Sequence, residues 1–97
     1  MFNPHLKVIR KSEAICLAGL SKTSIYEQSR SGLFPKPISL GARAVGYLEH
    51  EVLTLIAARS VGKSDNEIRE IVKALILQRE ISANDLLRHL VREVAHG

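Results

Sequence analysis

Residues 19–37, GLSKTSIYEQSRSGLFPKP, contain a short predicted helix whose single aliphatic residue is Ile25. Ser21 is a candidate N-cap, because its side-chain oxygen can accept a bond from a free backbone N–H of the first turn. Gly32 supplies the positive φ that often ends a helix at the C′ position. The sequence therefore predicts a helix from Ser21 to about Ser31 that buries little of its surface and leaves a polar face for another purpose.

A second short helix precedes this one. Ser12 is a candidate N-cap for a helix that runs to about Ala18, with Ala14, Ile15 and Leu17 available for burial. Gly19 breaks that helix, and only three residues separate the two helices. This spacing is typical of a helix-turn-helix.

A hairpin and a third helix follow. The prolines in LFPKP keep residues 33–37 extended. ISLGARAVGYL then alternates on either side of a turn near Gly41–Ala44, which predicts a two-stranded hairpin. EHEVLTLIAARS places Val52, Leu55 and Ile56 on one helical face. We predict a mainly α fold, with a winged helix-turn-helix domain at residues 8–60 and a short β-hairpin as its wing.

Amphipathic helices are predicted after this domain, over residues 64–97. Ser64 and Glu67 have the spacing of a capping box at the start of the first helix, and Ser82 is predicted to cap a last helix. Such helices pack on the domain or on a second copy of the chain. The apolar residues predicted to form a dimer interface are Ile68, Ile71, Val72, Leu75, Leu86, Leu90 and Val94.

Positive charge is concentrated in the first half of the chain. The 97 residues carry a net charge of +4. Residues 1–48 hold seven Lys or Arg and two Glu, a net of +5, whereas residues 49–97 have a net of −1. This asymmetry favours a polyanionic partner for the half that contains the helix-turn-helix.

The polar face of the second helix matches that expectation. If Ile25 faces the core, Thr23, Glu27 and Arg30 point away from it at 100° per residue, with Ser24 and Tyr26 at the sides. Hydroxyls, one cation and one carboxylate can bond base edges and phosphates in a major groove, which just admits an α-helix. The candidate DNA-binding residues are Lys22, Thr23, Ser24, Tyr26, Glu27, Arg30, Lys36 and Arg43.

The sequence also resembles a known family, the AlpA phage and prophage regulators, which are relatives of the MerR-like winged helix-turn-helix proteins and of excisionases. The resemblance covers roughly residues 8–76 and is carried, in order and spacing, by GLSKTSIY, SGLFPKP, LGARAVGY and EHEV. It implies that the second helix enters the major groove and that the hairpin acts as a wing. Family positions that contact DNA match Thr23, Ser24, Tyr26 and Arg30, and Arg43 stands where a wing residue would.

Other classes of protein fit the sequence poorly. No apolar run approaches the roughly 18 residues that a membrane span needs, and the first residues lack a signal-peptide core. The lone Cys16 agrees with a reducing cytoplasm. The four histidines lack metal-ligand spacing, and VGKS at 61–64 lacks the first glycine of a phosphate-binding loop. We therefore expect neither an enzyme nor a cofactor.

Three functions remain as hypotheses. The first is a sequence-specific transcriptional regulator of phage or prophage type, working on double-stranded DNA in the cytoplasm as a homodimer, with possible contact to integrase or RNA polymerase. The second is an excisionase-like architectural factor that assists an integrase. The third is a helical protein-interaction module whose basic face is incidental.

Overall fold

The computed structural model describes the backbone of residues 6–96 and the side chains of residues 6–91. Over that range the chain forms four helices and a small three-stranded antiparallel sheet, a mainly helical arrangement compatible with a winged helix-turn-helix. The elements in chain order are β1 (Val8–Arg10), α1 (Lys11–Ala18), α2 (Lys22–Arg30), β2 (Ile38–Ser39), β3 (Val45–Leu48), α3 (Glu49–Ser60) and α4 (Asp65–His96).

The predicted hairpin is confirmed, and a third strand joins it. β2 pairs with β3 around the turn at residues 40–44, with Ser39 opposite Val45. β1 pairs with the other edge of β3, so that the strand order is β1-β3-β2. Gly46 lies between both neighbours, where a Cβ would come within 2.6 Å of Val8 Cγ1 and 3.0 Å of Leu40 Cδ1. A residue without a side chain is therefore required at the centre of this sheet.

The ends of the two short helices follow the sequence closely, with one correction. Ser21 Oγ accepts the amide of Ser24 at 3.0 Å, and Gly19 and Gly32 have φ of 68° and 76°. Ser12, however, is not an N-cap. β1 runs directly into α1, so that Arg10 occupies the cap position without a side-chain bond and Ser12 lies inside the first turn.

A single apolar core lies between the helices and the sheet. Phe34, in the extended segment, meets Tyr47 of β3 edge to face, with ring centroids 5.5 Å apart. Ile25 is fully buried, which confirms it as the anchor of α2. The buried core residues are Ile9, Ala14, Ile25, Phe34, Tyr47, Val52, Leu55, Ala58, Ile68 and Val72.

The C-terminal segment is one helix of 32 residues, where two helices were expected. The capping box at its start is confirmed, since Glu67 Oε1 accepts the Ser64 amide at 3.1 Å and Ser64 Oγ accepts the Glu67 amide at 3.3 Å. Ser82 caps nothing: its side chain is buried in mid-helix, and its hydroxyl accepts from Gln78 Nε2 one turn earlier at 3.4 Å. At 1.5 Å per residue α4 is about 48 Å long, so it extends well beyond the core.

The first half of α4 belongs to the same core as the rest of the chain. Ile68 is fully buried and Val72 is 8% exposed, both in contact with the core cluster. Both side chains, which the sequence analysis selected for a dimer interface, are already covered within one chain, and the interface itself stays a prediction. Ile71 and Leu75 are half-buried against the same cluster.

Candidate nucleic-acid interface

The outward face of α2 is exposed as the helical wheel predicts. Thr23, Tyr26, Glu27 and Arg30 are all exposed, while Ile25 points into the core. Ser24 is half-buried beside the N-cap, where its Oγ accepts from Ser21 Oγ at 2.8 Å and keeps its own hydroxyl hydrogen for a ligand. The helix therefore presents donors, acceptors and one cation on a single face.

Tyr26 and Arg30 are partners on this face. They lie four residues apart, and the Arg30 guanidinium carbon is 5.8 Å from the centre of the Tyr26 ring. That distance is within the range of a cation–π contact, which holds the long arginine side chain against a rigid surface. Tyr26 remains 58% exposed. The pair thus leaves both a phenolic hydroxyl and a guanidinium fork open to a ligand.

The basic side chains of the interface have no acidic partners in the described part of the chain. Among residues 6–91, no carboxylate oxygen lies within 4.0 Å of Lys22, Arg30, Lys36 or Arg43. The ion pairs found there involve Lys7 and the acids and bases of α3, α4 and the turn between them. The cations of the candidate interface can therefore neutralise phosphates without first breaking an internal pair.

The remaining candidates lie after α2. Arg43 is exposed in the turn between β2 and β3, at the tip of the hairpin. The Lys36 side chain is exposed in the extended segment, and its carbonyl oxygen accepts a bond from Arg79 Nη2 at 3.2 Å. The contact from Arg79, and a second from Arg69 to the Ser31 carbonyl at 3.0 Å, were not anticipated. They join residues 43 and 38 positions apart, and no local pattern signals such pairs.

Two buried polar groups have no bonding partner within the described residues, Ser29 Oγ and His50 Nδ1. The Tyr47 hydroxyl is also enclosed. Burial raises the pKa of Tyr47 above its usual value. The phenol is therefore neutral at physiological pH and serves as a core residue.

One cleft beside α2 is poor in polar side chains. A cavity of about 350 Å³ between the α1–α2 turn and α3 is largely apolar, with Gln28 and Arg59 as its polar side chains. In the part of the chain that the structure describes, no three His, Cys, Asp or Glu residues come together as a metal site. The outward face of α2 therefore remains the candidate site.

The second half of α4 holds the other predicted interface residues. Leu86 and Leu90 are 41% and 57% exposed, and the Val94 side chain lies outside the described residues. Leu87 and Val91, which the sequence analysis did not select, are exposed beside them. Four large aliphatic side chains thus share about one and a half turns of exposed helix. We call Leu86, Leu87, Leu90 and Val91 the apolar end of α4.

Comparison with known proteins shows that the first part of the chain is similar in sequence to phage and prophage proteins. The family model described as prophage CP4-57 regulatory protein (AlpA) matches residues 7–60. The chain is 40% identical over 57 residues to the uncharacterized protein ORF88 of Enterobacteria phage P4. That alignment covers 59% of this chain and 65% of ORF88. Within the described residues no helix is both long and apolar enough to cross a membrane.

Proposed function

Because the chain belongs to the AlpA family of prophage regulatory proteins, we propose that it regulates phage genes by binding a specific sequence in double-stranded DNA. The observation that carries this proposal is the outward face of α2, where Thr23, Tyr26 and Arg30 are exposed and Arg30 has no acidic partner among the described residues. The protein would act in the bacterial cytoplasm, where its DNA target lies.

In the proposed complex α2 enters the major groove and the hairpin acts as a wing. The major groove is about 12 Å wide and admits an α-helix, whose diameter with side chains is about 10–12 Å. The nine residues of α2 would place about 13 Å of helix in that groove. Thr23, Tyr26 and Arg30 would face base edges, while Lys22 and Ser24 near the N-terminus would bind phosphates, where free backbone N–H groups add to the attraction. Arg43 would reach the backbone or the minor groove beside the main site.

We also propose that the protein binds DNA as a homodimer that pairs through the apolar end of α4. A single α2 of nine residues reads few base pairs, and two-fold symmetry doubles the contacts. The apolar end lies beyond the buried part of α4, so a partner can cover it without disturbing the core. The proposed interface therefore keeps Leu86 and Leu90 of the predicted residues and does not use the buried Ile68 and Val72.

Sedimentation tests the dimer. The full-length protein should sediment as a dimer at tens of micromolar, and the double variant Leu87→Gln, Leu90→Gln should be a monomer with an unchanged circular dichroism spectrum. Lys73→Gln, Glu70→Gln on the solvent face of the same helix is the matched control. A full-length protein that stays monomeric without DNA would exclude this dimer.

Selection from a random DNA library tests the assignment of α2. Arg30→Ala and Thr23→Ala should each weaken binding to the selected site, by about 1–3 kcal/mol or about 5- to 150-fold for a lost base contact. Arg88→Ala, which removes one exposed cation from α4, is the control for charge alone. If neither α2 variant changes the affinity for the selected site, the face is misassigned.

Gel shifts with the same purified protein distinguish a transcriptional regulator from an excisionase-like factor. Promoter DNA of the surrounding phage genes and attachment-site DNA are compared in one gel-shift series. A regulator binds the promoter more tightly, whereas an excisionase-like factor prefers and bends the attachment site. Failure to bind either DNA at low salt would favour a protein-interaction module.

A further inference from the structure

Two arginines of α4 bind the segment that connects α2 to the hairpin. Arg69 Nε donates to the carbonyl oxygen of Ser31 at 3.0 Å, at the C-cap of α2. Its aliphatic carbons cover Gly32, where a Cβ would lie 3.8 Å from Arg69 Cγ. Asn66 Oδ1 accepts from Arg69 Nη1 at 3.3 Å, which holds the guanidinium in place. The end of α2 is thus bound from outside its own helix.

Arg79 makes the corresponding contact at the other end of the segment. Its Nη2 donates to the Lys36 carbonyl at 3.2 Å, two residues before β2 begins. Its Nε also donates to Glu51 Oε2 at 3.1 Å, and its Nη2 to Glu51 Oε1. Glu51 is 1% exposed in α3, so the guanidinium is fixed by a buried carboxylate. Arg79 therefore joins the segment, α3 and α4 at one point.

The two carbonyl groups bracket residues 31–36. We propose that α4 is a brace that sets the position of α2 relative to the hairpin, with Arg69 and Arg79 as positioning residues for the DNA interface. The inference rests on the proposed function. It concerns residues beyond the family match, which ends at residue 60.

The reason for such a brace lies in the backbone bonds that residues 31–36 make. Beyond the bonds from the Ser31, Gly32 and Leu33 amides back to α2, the segment's described backbone bonds to other elements come from the two arginines. Gly32, with φ of 76°, joins α2 to the extended chain, and a glycine restricts the backbone at such a junction less than other residues do. A specific complex needs α2 in the groove and the wing on the backbone together, so a variable angle between them costs specific binding. Non-specific binding to phosphates tolerates that variation.

Arg69→Ala is the first test. It should weaken binding to the selected site by about 3- to 10-fold, the range of one hydrogen bond, and leave binding to random DNA within about twofold. Lys73→Ala removes the same charge from the same helix but breaks no hydrogen bond to the segment, because Lys73 Nζ donates to Glu70, so its affinity ratio should stay unchanged. Arg69→Lys keeps the charge and a donor near Ser31, and should restore most of the specific affinity.

Arg79→Lys is the second test. The lysine retains a charge for Glu51 but cannot bond both the carboxylate and the Lys36 carbonyl with the same geometry. The ratio of specific to non-specific affinity should fall while cooperative unfolding is retained. The arrangement itself is measured with spin labels at Thr23→Cys and Ser39→Cys in a Cys16→Ser background. The distance distribution should broaden in Arg69→Ala and stay narrow in Lys73→Ala.

The outcomes separate the two proposals. A wild-type protein that selects no DNA sequence overturns the proposed function, whatever the spin-label distances are. The brace alone is overturned if the wild type binds specifically but Arg69→Ala and Lys73→Ala behave alike. They would then show the same ratio of specific to non-specific affinity and the same spin-label distance distribution. Equal losses on specific and random DNA in Arg69→Ala would show that Arg69 binds phosphate, which also overturns it.

Discussion

Arg79 and Glu51 lie 28 residues apart and form a two-point ion pair whose carboxylate is 1% exposed. The pair connects α4 to α3 at the place where α4 leaves the core. Because Glu51 has so little contact with solvent, its charge depends on Arg79 for stabilisation.

Removal of one partner should therefore lower the free energy of unfolding far more than removal of both. Arg79→Ala is expected to lower the free energy of unfolding by about 3–5 kcal/mol, since it leaves a buried carboxylate alone. The double variant Glu51→Met, Arg79→Met should lose much less, because it leaves no buried charge. Urea unfolding of the three proteins measures the difference. Equal losses in the single and double variants would mean that Glu51 is solvated in solution.

Ile25→Asp should unfold the protein, since it places an unpaired charge at a fully buried position. Such a change is expected to cost several kcal/mol, a large part of the stability of a small domain. Thr23→Asp on the exposed face of the same helix is the control and should melt within a few degrees of the wild type. If Ile25→Asp keeps the wild-type melting temperature, α2 is rotated from the orientation described above.

Arg43→Ala should reduce the salt dependence of DNA binding. One phosphate contact fewer lowers the slope of log K against log salt by about one. The slope is measured by fluorescence anisotropy at four salt concentrations, with Arg88→Ala as the control that keeps the wild-type slope. A loss confined to one base position would show instead that Arg43 reads a groove. An unchanged slope would remove Arg43 from the DNA surface.

The capping box should make helix stability depend on pH. The Ser64 backbone amide, with help from the Ser64 side chain and Lys63, holds the pKa of Glu67 below its usual range. A carboxylate with a lowered folded-state pKa contributes stability above its unfolded-state pKa and loses it as the pH falls through the folded value. The melting temperature of the wild type should therefore exceed that of Glu67→Gln at neutral pH, and the two should converge in acid. A constant difference across that range would exclude the charge as the cause.

Much of the local structure could be predicted from short stretches of this sequence. The Ser21 cap, the glycines at 19 and 32, the hairpin turn and the Ser64–Glu67 box were all predicted, and each depends on contacts within about five residues. The exposed face of α2 follows from the same periodicity once Ile25 is buried. The candidate DNA-contacting residues of α2 could therefore be chosen without a structure, and their role remains a prediction.

Features that join distant parts of the chain were missed. β1 has three residues, too few for an alternating pattern, and exists because its edge pairs with β3. Ser82 looked like a helix start because serine favours N-caps, yet the flanking residues sustain an unbroken helix and α4 continues through it. The apolar stripe of α4 could not reveal which part meets the core, since Ile68 and Leu90 look alike in sequence.

The sequence by itself determined the order of the short helices, the end of α1, both ends of α2, the hairpin and the polar face of α2, because caps, turns and helical periodicity act between near neighbours. Only the tertiary structure decided that Ile68 and Val72 complete the core, and that Arg69 and Arg79 bind the segment after α2. These contacts depend on how far α4 runs and in which direction it packs. Both are set by the burial of its first half against elements many residues away.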